Sequence, residues 1–276
     1  MQRALSTHLL AGHRLNTIWL DRIWNAGIPL VEIFCARQHL DYRSKSQLGE
    51  IASWFGDAEL KLHSVHAPIF SDDCSGRSGP AALIDISEVS KPKRIMHVDE
   101  IKRAIEIADH VQFTYLIQHL GVAGQPYDET RIEAAFNSIE ELSLFAAHRG
   151  VKLLLENIPS SISSAERLAY FVNSMHLDID FCFDLGHANL MEGVEHAFSI
   201  LGPRIRSTHV HDNNGKDDRH LFPMPGLGGT IDWPAAMRLL RTRDGQFPLL
   251  LELKDPGESA NPLDGVREIF EKLESL

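Results

Sequence analysis

The chain has 276 residues, of which 43% are hydrophobic, so it can bury one large core without requiring two domains. Its 27 basic residues against 38 acidic ones give a formal net charge of -11, which argues against a polyanion as the main partner. Cys35, Cys74 and Cys182 contain no C-x-x-C pair, the N-terminus shows no signal-peptide pattern, and no apolar run approaches the ~20 residues of a membrane helix, so we expect a cytoplasmic protein.

Strand and helix patterns alternate along the whole chain. Short apolar and β-branched runs predict strands at 4–10, 29–34, 59–65, 112–118, 152–155, 179–183, 205–210 and 247–251. Helical spacing of apolar residues predicts helices at 16–26, 47–55, 97–110, 128–149, 165–175, 192–201, 233–242 and 263–273. The segment 70–93 is unusually long and polar for a connection between two elements, and we interpret it as a loop that could serve as a lid.

This alternation predicts the fold class. Strands that alternate strictly with helices form a parallel sheet with helical crossovers, and eight such units favour a closed α/β barrel over an open sheet. We therefore predict one (β/α)8 TIM barrel spanning 1–276 as a single domain. No G-x-G-x-x-G follows a strand, which removes the main dinucleotide-binding alternative.

Polar residues stand at the carboxyl ends of six predicted strands, where the active sites of such barrels are built. These residues are His66, His119, Glu156, Asp184, His209 and Glu252. Three carboxylates that converge on a pocket of low dielectric repel one another unless a cation neutralises them. We therefore expect a divalent metal ion held by Glu156, Asp184 and Glu252 together with one histidine.

The stretch from 204 to 233 concentrates further donors. His209 and His211 lie two apart on a strand and project from the same face, and Asp218 and His220 come next on a loop rich in glycine and proline. Mixed imidazole and carboxylate donors suit zinc, manganese, cobalt or iron. Taken alone, this stretch is equally typical of a solvated polar turn.

Several motifs together suggest a family. They are HAP at 66–68, QHLG at 118–121, LLLEN at 153–157, FDLGHANL at 183–190, HVHDNNGKDDRHLFPMPGLGGTIDW at 209–233, and LLLEL at 249–253. In these the chain resembles the xylose isomerase-like TIM-barrel superfamily, which includes sugar and sugar-phosphate isomerases and epimerases and the abasic-site endonuclease IV.

The resemblance implies one divalent ion (Mn, Zn, Co or Mg) on Glu156, Asp184, His209 and Glu252. It also implies that five residues occupy the positions that bind two further zinc ions in the endonuclease branch: His66, His119, His187, Asp218 and His220.

The choice between His209 and His211 as ligand rests on the residues next to them in the chain. The epimerases with His-x-His place the ligand on the second histidine, with an arginine directly after it, whereas here Asp-Asn-Asn-Gly-Lys comes after His211. In the endonucleases x-Asn-Asp comes directly after the ligand histidine. Asp212 aligns with that aspartate, so we predict His209 as the ligand.

Three functions remain in view. We favour a divalent-metal-dependent isomerase or epimerase of a sugar or sugar phosphate, working through an enediolate with Glu156 and Glu252 as the acid/base pair. His187 would hold or polarise a substrate oxygen, or support Asp184. The alternatives are an endonuclease IV-like multinuclear zinc phosphodiesterase acting on abasic DNA, and a non-catalytic binder of a sugar or metabolite.

The partner of the favoured function is a small sugar, and homo-oligomer formation stays open. For nucleic acid, the chain lacks the Gly-rich opening segment of the endonuclease branch. The basic run Arg37, Tyr42, Arg43 and Lys45 could contact DNA, although such a run is more often a solvated face.

Overall fold

The computed structural model describes residues 1–71, 83–255, 257 and 261–276, and within them eight parallel strands form a barrel. The strands are β1 (Arg3–Ser6), β2 (Leu30–Phe34), β3 (Lys61–His66), β4 (Tyr115–His119), β5 (Lys152–Glu156), β6 (Asp180–Asp184), β7 (Ile205–His209) and β8 (Leu249–Leu251). Each strand pairs with its sequence neighbours, and β1 pairs with β8. Val210 bridges Leu251 in parallel and closes the ring. The predicted TIM barrel is confirmed.

Helices cover the outside of the described barrel. They are α1 (Thr17–Asn25), α2 (Lys45–Asp57), α3 (Lys91–Ile105), α4 (Glu129–Ala147), α5 (Ala165–Ser174), α6 (Leu185–Leu190), α7 (Val194–Leu201), α8 (Trp233–Arg241) and α9 (Val266–Ser275). Within the described ranges, none of them is long and apolar enough to cross a membrane.

Three differences from the predicted elements are the largest, and the boundaries of the other elements shift by at most three residues. The strand predicted at 4–10 ends at Ser6, because the Ser6 hydroxyl accepts a hydrogen bond from His8 N and starts a 3-10 turn over Thr7–Leu10. The helix predicted at 97–110 begins at Lys91, where Pro92 occupies the first turn, a position that tolerates proline. Helix α6, six residues long, was not predicted.

Residues 72–82 of the loop predicted as a lid, which include Cys74, lie outside the described residues. Its described ends meet at a bridge between Phe70 and Leu83. Cys35 and Cys182 are buried free thiols.

The barrel interior is layered because alternate residues of a strand point to the same side. One interior cluster consists of Ile117, Leu154 and Cys182, all buried. Two residues further along the same strands stand His119, Glu156 and Asp184, which form the polar layer above it. The larger apolar cluster packs the outer faces of the strands against the helices. The fold therefore gathers the strand-end polar residues at one mouth of the barrel.

Candidate metal centre

Four predicted ligands surround one point at the carboxyl-terminal mouth. Nδ1 of His209 lies 3.1 Å from Glu156 Oε1, 3.2 Å from Glu252 Oε2 and 3.8 Å from Asp184 Oδ2. Four donors of a tetrahedral ion with bonds near 2.0–2.2 Å lie about 3.3–3.6 Å apart. One donor atom from each of the four residues lies within 4.8 Å of the other three. The spacing therefore fits a single divalent ion.

The chemistry of this group also fits a cation. All four side chains are buried, and none exceeds 3% exposure. Within the described ranges, the ion pairs of Glu156, Asp184 and Glu252 are all with histidines, and no lysine or arginine neutralises them. Buried carboxylates need a positive partner, which a divalent ion supplies without requiring protonated imidazoles.

Glu32 is a site residue that the sequence patterns did not predict. It is fully buried on β2, and its Oε2 accepts a hydrogen bond from Ser64 Oγ at 2.7 Å and lies 3.2 Å from His209 Nε2. Its other oxygen, Oε1, has no hydrogen bond among the described residues. Glu32 therefore holds the far side of the His209 ring, whose Nδ1 faces the three other carboxylates. A charged residue inside the apolar run PLVEIF was the signal available in the sequence.

A second donor group shares Glu156. Its Oε2 lies 3.1 Å from His119 Nε2 and 3.3 Å from His66 Nε2, whereas its Oε1 faces His209. His66 is buried and its Nδ1 donates to its neighbour Ala67 O at 2.8 Å, which leaves Nε2 for the site. The two oxygens of one carboxylate thus serve two adjacent groups.

A third donor group contains His187, His211, Asp218 and His220. Asp218 Oδ2 lies 3.1 Å from His187 Nε2 and 3.3 Å from His220 Nε2. His211 stacks on His220 with ring centroids 3.9 Å apart, and its Nε2 lies 3.0 Å from Asp184 Oδ2. His220 has φ of 47°, a left-handed conformation that is uncommon outside glycine and is often found at functional sites.

His209 and His211 therefore occupy different places. His209 faces all three carboxylates of the central group, whereas His211 faces Asp184 and the third group. The geometry favours His209 as the ligand of the central ion, which stays a prediction.

His8 is a further site residue that the sequence patterns did not predict. Its ring lies 4.7 Å from that of His220, and its buried Nδ1 has no hydrogen-bond partner among the described residues.

The charges of the site are strongly coupled. Burial alone raises the pKa of Glu156, but His209 and His119 lower it well below its usual value. Burial lowers the pKa of His209, but the neighbouring carboxylates of Glu252 and Glu32 raise it well above its usual value. Burial likewise lowers the pKa of His220, whereas its hydrogen bond to Asp218 and the charge of Glu252 raise it to about 9. Without a metal ion, protons on the imidazoles take over the role of the cation.

Local structure holds these side chains in place. Asp184 both ends β6 and caps α6, since its Oδ1 accepts a hydrogen bond from His187 N at 2.6 Å. Gly186 leaves room for His211, because a Cβ there would lie 2.0 Å from His211 Cε1.

Asp212 fixes the long loop after β7. Its carboxylate accepts hydrogen bonds from Asn213 N, Thr230 N, Ile231 N and Trp233 Nε1. Both ends of the loop that carries Asp218 and His220 are thereby tied to one buried group.

A cavity of about 430 Å³, within the size range of small-molecule sites, opens beside the second and third donor groups. His66, His119, His187 and Asp218 line its inner side. Apolar side chains line another part of its wall, among them Ile84 after β3, Ile158 after β5 and Leu190 at the end of α6. A small molecule in this cavity would contact His66, His119, His187 and Asp218, the members of the second and third donor groups that line it.

Two residues of the basic run share one carboxylate. Tyr42 is buried and donates its hydroxyl to Glu100 at 2.5 Å, and Arg43 pairs with the same carboxylate. Arg43 and Lys45 are exposed, and contact of this run with DNA stays a prediction.

Fold and site define a TIM-barrel protein whose carboxyl-terminal mouth carries clustered carboxylates and imidazoles around a small-molecule cavity. The chain belongs to the xylose isomerase-like TIM barrel family, whose sequence profile matches residues 20–276. The protein MJ1311 of Methanocaldococcus jannaschii is 30% identical over 216 residues, covering 73% of this chain and 68% of that protein.

Solved structures share the fold. A D-tagatose 3-epimerase-like protein matches with a TM-score of 0.74 at 24% identity, covering 100% of this chain and 99% of its own. The IOLI protein, whose structure holds a zinc atom, matches with a TM-score of 0.75 at 18% identity over 99% of this chain and 96% of its own.

Proposed function

We propose that this protein is a divalent-metal-dependent isomerase or epimerase of a small sugar or sugar derivative. The observation that carries the proposal is the pair Glu156 and Glu252, whose oxygens lie 3.1 and 3.2 Å from the same His209 nitrogen. Glu156 ends β5 and Glu252 directly follows β8, so the two carboxylates approach the centre from different strands. The similar structures of an epimerase-like protein and of a zinc-containing protein support this choice.

In this proposal Glu156, Asp184, His209 and Glu252 hold the ion. When bound, a divalent ion supplies Lewis-acid polarisation of a substrate carbonyl, which acidifies the adjacent C–H. One glutamate removes that proton and the other delivers a proton, either to the opposite face or to the next carbon. His187, which lines the cavity and lies 3.3 Å from Glu156, holds the substrate oxygen.

Glu32 acts in this scheme through His209. A carboxylate on the outer nitrogen of a ligand histidine fixes its tautomer and ring orientation and raises its basicity. With Nε2–H donated to Glu32, the lone pair of Nδ1 would be free to coordinate the ion.

Exchange of a carbon-bound substrate proton with D₂O tests the proposal. The protein loaded with manganese, cobalt or magnesium is incubated with a panel of ketoses, aldoses and their phosphates, and exchange is followed by NMR. We expect exchange with at least one member, and its loss in Glu252→Gln but not in the exposed control Glu50→Gln. Complete absence of exchange across the panel, with metal bound, would count decisively against an isomerase or epimerase.

A second candidate function rests on the other donor groups. His66, His119 and Glu156 form one further group and His187, His211, Asp218 and His220 another, each with donor atoms within 4.8 Å. Clustered metal ions can generate hydroxide and clamp phosphate oxygens, which is the chemistry of a phosphodiesterase of the abasic-site endonuclease type.

Metal analysis separates the two candidates. Two or three zinc ions per chain together with cleavage of an abasic-site oligonucleotide would favour the phosphodiesterase. One ion per chain and an intact oligonucleotide would exclude it. A non-catalytic sugar binder is the third candidate, and the retention of both glutamates beside the ion site argues against it. The cytoplasmic location stays a prediction.

A further inference from the structure

The cavity beside the metal centre contains one basic side chain. Among its described lining residues Lys216 is the single lysine or arginine, and it stands on the loop after β7. The rest of the described lining consists of imidazoles, Asp218, Gln118, apolar side chains and glycines.

Among the residues that the structure describes, the ammonium group of Lys216 has neither an ion pair nor a side-chain hydrogen bond. The neighbouring acids are already engaged, because Asp218 pairs with His187 and His220, and Asp217 lies 3.5 Å from Arg219 and accepts from Asn214 at 3.2 Å. Since Asp217 and Asp218 pair with other side chains, the ammonium of Lys216 is available to a ligand as far as the described residues show.

The turn that carries Lys216 is also fixed. Asn214 Oδ1 accepts from Lys216 N at 3.0 Å and from Asp217 N at 2.8 Å, and Asn213 Oδ1 accepts from Gly215 N at 2.9 Å. The start of this loop is tied to the barrel by Asp212. The lysine therefore projects from a defined position at the rim of the cavity.

Lys216 is exposed at the rim of the cavity, so a ligand in the cavity can place an anionic group beside its ammonium without displacing a described protein partner. We propose that the substrate carries an anionic group, a phosphate monoester or a carboxylate, which Lys216 binds while the carbonyl end lies at the metal centre. This inference rests on the proposed isomerase or epimerase function and names its substrate class.

Kinetics on matched substrates test it. D₂O exchange is measured for a neutral ketose, its terminal phosphate and the keto acid of the same chain length, with wild type, Lys216→Met, Lys216→Arg and the control Arg219→Met. We expect Lys216→Met to lower kcat/KM for one anionic class about 10- to 100-fold, the range of a lost charged hydrogen bond. The neutral ketose should change less than about twofold, Lys216→Arg should recover most of the loss, and the control should match wild type.

Direct binding keeps the two proposals distinguishable. The manganese-loaded protein is titrated calorimetrically with glycerol 3-phosphate, glycerate and glycerol, whose anionic members differ in charge type on one skeleton. If Lys216→Met lowers the affinity for glycerol 3-phosphate, the anionic group is a phosphate. If it lowers the affinity for glycerate, the anionic group is a carboxylate. If neither affinity falls, or if exchange prefers the neutral ketose and ignores Lys216, the anionic-substrate inference is overturned while the proposed function stands. If anion binding depends on Lys216 but no substrate exchanges, the anion site stands and the isomerase or epimerase function fails.

Discussion

Replacing Glu32 by glutamine tests the link between this buried carboxylate and the metal ion. The substitution keeps the size of the side chain and an oxygen that can accept from His209 Nε2, 3.2 Å away, and removes only the charge. Two unit charges at that distance interact by about 5 kcal/mol at an effective dielectric of 20, which is an upper limit because a neutral imidazole carries only part of a charge. We expect a 10- to 100-fold loss of metal affinity, or about 1.4–2.7 kcal/mol.

Competition with a chromophoric chelator at fixed pH measures this affinity for manganese and zinc. Ser64→Ala is the matched control, since it removes the other hydrogen bond to Glu32, at 2.7 Å, and leaves the carboxylate charge in place. Circular dichroism checks that both variants fold. An affinity of Glu32→Gln within twofold of wild type would refute the argument that Glu32 acts through His209.

The contacts of the site support three further predictions. Because the pKa of His209 is raised well above its usual value, a proton competes with the ion, and metal affinity should rise by about tenfold per pH unit below that pKa; a pH-independent affinity would contradict this. Since the pKa of His220 is raised to about 9, its protonated form stabilises the metal-free protein most below pH 6.5. The free energy of unfolding should therefore fall by roughly 3 kcal/mol as pH rises from 6.5 to about 9, and urea unfolding of His220→Asn should show a smaller fall over the same pH range. Asp212→Asn should lower stability by about 1–3 kcal/mol, because Trp233 Nε1 and three backbone N–H groups depend on that carboxylate, whereas the exposed control Asp217→Asn should be neutral.

Most of the architecture could be predicted from local pattern. Alternating strand and helix signals are enough to specify a parallel barrel, since each unit buries an apolar strand between its neighbours. Helix α6 escaped because its six residues are too few to show a helical period, and it forms on the cap that Asp184 supplies. The start of α3 escaped because Ser90, Lys91 and Pro92 have the composition of a loop, although proline is well placed in a first helical turn.

The candidate site was partly predictable for a geometric reason. Residues that end parallel strands meet at one mouth of the barrel, so Glu156, Asp184, His209 and Glu252 could be grouped without knowing any distance. Glu32 stands two residues before the end of its strand, inside an apolar run, and only the closed ring brings it against His209. His209 and His211 likewise face different carboxylates. The spacing of the two histidines along one strand does not show which carboxylates lie next to each of them.

Asp184 takes part both in capping helix α6 and in the candidate ion site. One of its oxygens caps α6 through His187 N and the other faces His209 and His211. Because the two equilibria share Asp184, an ion that binds this carboxylate also stabilises the first turn of α6. By the same linkage, a change that destabilises this turn lowers the affinity for the ion. Amide hydrogen exchange over 185–190 should therefore slow when the metal binds, and its rate would report the fraction of metal sites that are occupied.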